Sequence, residues 1–166
     1  MKPAATKAQM QRLLDGERFL RPWKFRLMKA DGQVCIVALP NTPALERPGG
    51  IVNGPALVAA ADVAMWLAIK SRLGMAHDAL TSDLNTVFLA PAKARTVYCT
   101  ARILKTGTRR FFGTAECHDR SGRIFRRGGG LDEATGSWLA TGGGAGLRLR
   151  RGTGGGDRAS AACCRG

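Results

Sequence analysis

The sequence predicts an α+β domain in which an antiparallel sheet wraps around one long helix, and three observations carry that prediction. Residues 54–69, GPALVAAADVAMWLAI, are apolar or small at every position except Asp62, as in a helix buried on nearly all sides. Residues 96–103 and 111–118 alternate apolar with polar at a period of two, the pattern of strands with one buried face. The runs 23–28 and 33–39 flank the turn signal Ala30-Asp31-Gly32 and read as a hairpin. A sheet with one apolar face and a single apolar helix bury each other when the sheet curls round the helix.

In chain order, a short amphipathic helix is expected over residues 4–14, within an N-terminal segment 1–19. The hairpin follows. The stretch 40–50, PNTPALERPGG, holds three prolines and two glycines and is expected to be loop. It leads to Asn53, a good N-cap, with Pro55 in the first turn, where a missing N–H costs nothing. The helix should run to about Leu73, stopped by Gly74, with Lys70 and Arg72 complementing the negative end of its dipole. Residues 80–89 read as one strand ended by Pro91. In the next two strands, Val97, Cys99, Ala101 and Ile103 should share a buried face with Phe111, Gly113, Ala115 and Cys117.

The 166 residues are enough for one domain with its own core, and a hydrophobic fraction of 45% excludes a disordered class. Residues 1–125 carry net +10 and residues 126–166 net +4, the latter with 13 of the 22 glycines. The body's cations form no aromatic-interleaved run, so solvated surface or attraction to a phosphorylated small molecule explains them better than nucleic acid. The five cysteines include no CxxC pair, which argues against a zinc site or a disulfide framework and fits a reducing cytoplasm. The N-terminus lacks the apolar stretch of an export signal. A membrane span is disfavoured by Asn53 and Asp62, since a mid-bilayer Asp costs roughly 2.5–3.5 kcal/mol. His77 and His118 are expected at the surface, and no metal-ligand constellation stands out.

Asp62 is the candidate for chemistry. A lone carboxylate in an apolar helix must find partners, take up a proton, or sit where a cleft admits water, and each outcome suits a catalytic acid or base. A helix apolar on all sides is covered by one sheet on one flank only, so a second copy of the chain is expected against the other.

Three segments together resemble the hotdog-fold acyl-CoA thioesterases of the phenylacetate-degradation type. They are residues 47–64, RPGGIVNGPALVAAADVA; residues 81–92, TSDLNTVFLAPA; and residues 101–116, ARILKTGTRRFFGTAE. They follow the family's order and spacing over roughly residues 20–123. The resemblance implies a hotdog domain over 20–125 and hydrolysis of an acyl-CoA to free acid and coenzyme A, with no cofactor beyond the coenzyme A of the substrate. It implies that the Gly54 N–H and the helix dipole polarise the thioester carbonyl, that Asp62 acts as general base or nucleophile, and that Thr81 orients the water. Asn53 stands where many members carry His, and an amide there can still hydrogen-bond a carbonyl. Arg47, Arg109 and Arg110 are candidates for the cofactor phosphates. Met65, Trp66 and Phe88 are candidate pocket residues. The resemblance also implies a homodimer or a dimer of dimers, a homotetramer.

From Arg126 onwards glycine triplets and arginine clusters replace any period, and residues 126–166 are expected to be a disordered tail lacking the family's last strand. An out-of-register translation would produce such a tail. Two other readings of the chain follow: a non-catalytic or vestigial acyl-CoA-binding hotdog protein, and a basic nucleic-acid-binding protein acting through its Arg/Gly tail.

Overall fold

The computed structural model describes residues 3–107, 110–128 and 136–141. Helix α1 spans Lys7–Gly16, three residues later than the sequence suggests, because Thr6 and Gln9 close a reciprocal capping box. Met10 and Leu14 are its buried face, and the Gln11 side-chain oxygen accepts from the Leu27 N–H at 2.8 Å, tying the helix to the first strand. Strand β1 is Arg26–Ala30 and β2 is Val34–Pro40. β1 starts late because residues 21–23 form a 3-10 turn ending at Lys24, whose φ of 53° is left-handed. In the hairpin, Asp31 Oδ1 accepts from the N–H groups of Gln33 and Val34 at 3.1 and 2.8 Å, and Oδ2 lies 3.0 Å from Lys29 Nζ. The Val34 N–H bond, with Lys29 beside it, holds the Asp31 carboxyl down at about 2.

The stretch 40–50, expected to be loop, supplies the first strand and the turn of a small hairpin, β3 (Glu46–Arg47), which pairs with β4 (Ile51–Val52) just beyond it. Gly49 and Gly50 make it possible, since their φ values of 93° and 68° suit no ordinary side chain. Helix α2 then spans Gly54–Leu73, capped by Asn53 and stopped at Gly74 with φ 100°, as expected. Its buried residues include Leu57, Met65, Leu67 and Ile69, and burying each such side chain stabilises the fold by roughly 1.5–3 kcal/mol. Alanines at 56, 60, 61, 64 and 68 are fully buried and let the sheet approach closely. Pro55, Val58, Ala59, Asp62 and Trp66 form the stripe that stays at least partly uncovered.

The remaining strands are β5 (Asp78–Thr81), β6 (Thr86–Phe88), β7 (Thr96–Thr106), β8 (Arg110–His118), β9 (Ile124–Gly128) and β10 (Gly136–Thr141). The sheet is antiparallel in the order β1-β2-β7-β8, and beyond β8 come two lanes, each built of two short strands. β9 pairs with residues 115–118 of β8 and β10 with residues 110–113. Outside them, β6 pairs with β9 and β5 with β10. The single strand expected over 80–89 is therefore broken between Thr81 and Thr86. The eight residues assigned to the buried faces of β7 and β8 do face the helix.

The C-terminal expectation needs correcting. The boundary after Phe125 falls inside β9, Arg126 is a buried strand residue, and Gly136–Thr141 supplies a strand beside β8 where none was expected. The reason is pairing: the inner half of the sheet leaves the far edge of β8 open, and hydrogen bonding along it accepts sequence with no alternation of its own. Residues 142–166 lie outside the described residues. Among the described residues no helix is long and apolar enough to cross a membrane.

Candidate active site

The two elements that matter are α2 and the broken outer lane, and they meet at Asp62. Thr81, the last residue of β5, donates its hydroxyl proton to Asp62 Oδ1 at 2.5 Å. The carboxylate is half-buried and lines a cleft of about 310 Å³ together with Glu17, Phe19, Trp66, Leu80 and Thr81. Asp62 thus finds a partner and also faces an open cleft. Its second oxygen is left for a further donor, such as a water.

A second clamp fixes β5 against the helix. Trp66 Nε1 donates to Asp78 Oδ1 at 2.7 Å, and Lys70 Nζ stands 3.3 Å from the same oxygen. Lys70, expected as a solvated cation, is only 4% exposed and also donates to the carbonyls of His77 at 2.7 Å and Met75 at 3.3 Å. Partial desolvation pushes the Asp78 carboxyl up, but the Trp66 indole N–H and Lys70 outweigh it and hold it below the ordinary carboxylate range. Asp62, Trp66 and Lys70 recur every four residues, so one stripe of α2 grips Thr81 at one end and Asp78 at the other. The spacing is visible in the sequence; its partners are not.

The start of α2 forms a separate place. Asn53 Oδ1 accepts from the Ala56 N–H at 2.8 Å and Asn53 Nδ2 donates to the Leu45 carbonyl at 2.8 Å. The side chain is thus engaged in capping and loop anchoring, with one amide hydrogen to spare, and its expected contact with a substrate carbonyl is secondary to these. The Gly54 N–H is one of the first-turn donors with no intrahelical acceptor. A methyl group on Gly54 would stand 3.1 Å from the Phe88 ring, so the glycine is what lets that ring lie over the helix end. A cleft of about 710 Å³ opens here, walled by Arg47, Ile51, Gly54, Leu57, Phe88 and Leu89 among others.

Of the expected site residues, the structure joins Asp62 with Thr81 and, apart from them, Gly54 with Arg47. Arg110 is exposed at the start of β8, and Arg109 lies outside the described residues. Trp66 and Phe88 each line a cleft, whereas Met65 is plain core, 0% exposed. His77 and His118 are half-buried rather than at the surface; the ring of His118 stacks with Tyr98 at 6.0 Å and hydrogen-bonds Thr100 Oγ1 at 3.0 Å. Cys35, Cys99 and Cys117 are free and buried, and burial raises the thiols of Cys35 and Cys99. Among the described residues no group of His, Cys, Asp and Glu could hold a metal ion.

Residues 49–125 match the model of the thioesterase superfamily. This segment belongs to that superfamily. The match spans α2 and the strands on to Phe125, and so takes in Gly54, Asp62 and Thr81 alike. Solved structures agree on the hotdog fold. A conserved protein of Pseudomonas aeruginosa aligns with a TM-score of 0.68 at 24% identity, covering 78% of this chain and 98% of its own. The Escherichia coli PaaI protein of the phenylacetic acid degradation operon aligns with a TM-score of 0.69 at 18% identity, covering 82% and 94%. A Bacillus halodurans protein whose structure contains CoA aligns with a TM-score of 0.57 at 24% identity, covering 64% and 66%. No curated protein matches the chain.

Proposed function

We propose that this protein hydrolyses an acyl-CoA thioester to the free acid and coenzyme A, in the manner of the PaaI type. The observation that carries the reading is the Asp62–Thr81 hydrogen bond at the edge of a cleft. Thr81 holds one carboxylate oxygen, so the other is positioned to take a proton from water, and a lone pair on the Thr81 hydroxyl can accept from the same water. The water oxygen bonds to the thioester carbon, its proton passes to Asp62, and the oxyanion is held by the Gly54 N–H and the positive end of α2. Collapse breaks the carbon–sulfur bond and returns the proton to the departing thiolate. Direct attack by Asp62 is the covalent variant of the same geometry.

Gly54 and Asp62 cannot serve one carbonyl from within one chain. Eight residues of helix separate them by about 12 Å, and they open into different clefts. Two copies, each supplying one group, resolve this, and the exposed Leu80, Val87, Phe88 and Leu89 around the outer lane supply apolar surface for such an assembly. A homodimer, or a homotetramer built from it, is thus part of the proposal, as is a cytoplasmic location. Arg47, in the Gly54 cleft, together with Arg109 and Arg110, would meet the coenzyme A phosphates. The Bacillus halodurans relative with CoA bound is consistent with this ligand.

Thiol release from short, medium and aromatic acyl-CoAs, with Asp62→Asn beside the wild type, tests the reading. Turnover abolished in the variant supports it; acyl-CoA binding without turnover in either protein would replace it with a binding function.

A further inference from the structure

Arg126 is 0% exposed, and nothing in the proposed hydrolysis uses it. Its Nε and Nη2 both donate to the Thr86 hydroxyl, the former at 3.1 Å, while its Nη1 has no acceptor among the described residues. Among the described residues no carboxylate answers its charge: the ion pairs there are Lys29–Asp31, Lys70–Asp78 and Arg127–Glu116. The Cys117 thiol beside it is pulled down by the Cys99 hydrogen bond and by Arg126, but it donates its proton to the Leu57 carbonyl at 3.3 Å and in that state carries no charge. A guanidinium buried without a counter-charge is among the costliest arrangements a fold can hold.

Its neighbours say where a counter-charge would come from. Arg126 is the register partner of Phe88, its preceding carbonyl accepts from the N–H groups of Leu89 and Ala90, and the thiol at its other side reaches Leu57. Phe88, Leu89, Ala90 and Leu57 are walls of the 710 Å³ cleft at the start of α2. Arg126 is therefore a strand neighbour of the apolar wall of the cleft where the thioester carbonyl would bind; it does not itself line that cleft, and the Phe88 in register with it is 54% exposed.

Resting on the proposed thioesterase reading, we propose that the substrate's acyl group carries a carboxylate at its far end, and that Arg126, steadied by Thr86, is the residue that recognises it. A planar carboxylate suits a guanidinium with a spare N–H, and this pairing is strong because both partners are charged and shielded from water. The coenzyme A phosphates are the other anions of such a substrate, but Arg47 is exposed at the mouth, whereas Arg126 is not.

Binding to Asp62→Asn, which separates recognition from turnover, should rank dicarboxylic acyl-CoAs such as glutaryl- or adipyl-CoA above the neutral acyl-CoA of equal carbon number. The preference should be roughly ten- to a hundredfold, the worth of a hydrogen-bonded buried charge. Adding Arg126→Met should collapse that ratio and Arg126→Lys should restore part of it, with Tm recorded for each variant. Coenzyme A alone and pyrophosphate, as controls, should bind Asp62→Asn and its Arg126→Met derivative equally; tighter binding of either only when Arg126 is present would assign the residue to phosphate and overturn the proposal. Equal binding of the neutral and carboxylated series by Asp62→Asn overturns it without recourse to any Arg126 variant. So does a thiolate absorbance that disappears in Cys117→Ser, since Arg126 would then own an internal counter-ion. Loss of turnover on every thioester with the carboxylate preference intact would sink the hydrolysis reading alone, and turnover without preference would sink this one alone.

Discussion

The two halves of the sheet are built differently. Along β1, β2, β7 and β8 the strands are continuous and bury one face against α2, with β7 and β8 alternating buried and less buried residues; beyond β8 each lane consists of two short strands, with Leu80 and Phe88 more than half exposed. The inner half carries the core, whereas Thr81, Phe88 and Arg126 all belong to the outer lanes. Breaking a lane removes ladder bonds but frees strand ends, and a strand end is where a side chain such as Thr81 can turn to meet a helix carboxylate. Stability and the proposed chemistry thereby fall to different parts of one sheet.

Substitutions should separate the two halves. The largest effect is expected at the site: Asp62→Asn should lower thiol release by about 10²–10⁴-fold, the usual share of a general base, while the urea midpoint stays near that of the wild type. An equal loss of stability would mean that the carboxylate is structural. Next comes the inner half. Gly113→Ala puts a methyl group 2.6 Å from the Arg102 carbonyl oxygen and closer still to Met65, so about 2–3 kcal/mol should be lost in urea unfolding. Unchanged stability there would show that β7 and β8 can part without cost.

Smaller effects probe the join between the halves. Thr81→Val removes the hydrogen bond to Asp62 and should cut kcat about tenfold with the fold intact. Asp78→Asn weakens the clamp to Trp66 and Lys70, which should cost about 1 kcal/mol and lower turnover indirectly by loosening β5. Indole fluorescence of Trp66 should change in step; if it does not, the clamp does not hold the strand. The smallest effect belongs to the β1–β2 hairpin. Asp31, depressed to about 2 in the folded protein, contributes its stability above the unfolded carboxylate value near 4 and loses it as pH falls toward 2. Urea midpoints of wild type and Asp31→Asn should differ at pH 6 and converge near pH 2.

The features legible before folding follow from local rules. The ends of α2 were readable because Asn53 and Gly74 are capping residues, and the faces of β7 and β8 because a period of two fixes which side chains share a side. Asp62 was conspicuous because a charge in an apolar helix is rare. Tertiary structure alone decided who answers that charge, since Thr81 lies nineteen residues away and meets it only when the outer lane is broken at residue 81. It also decided the fate of the residues after Phe125. Nothing local marks Arg126 as a core position; β8 makes it one, by pairing Cys117 with it across a sheet whose inner face was already committed to the helix. Local order can be written in short-range spacing, but burial and partnership depend on which distant segments the sheet brings side by side.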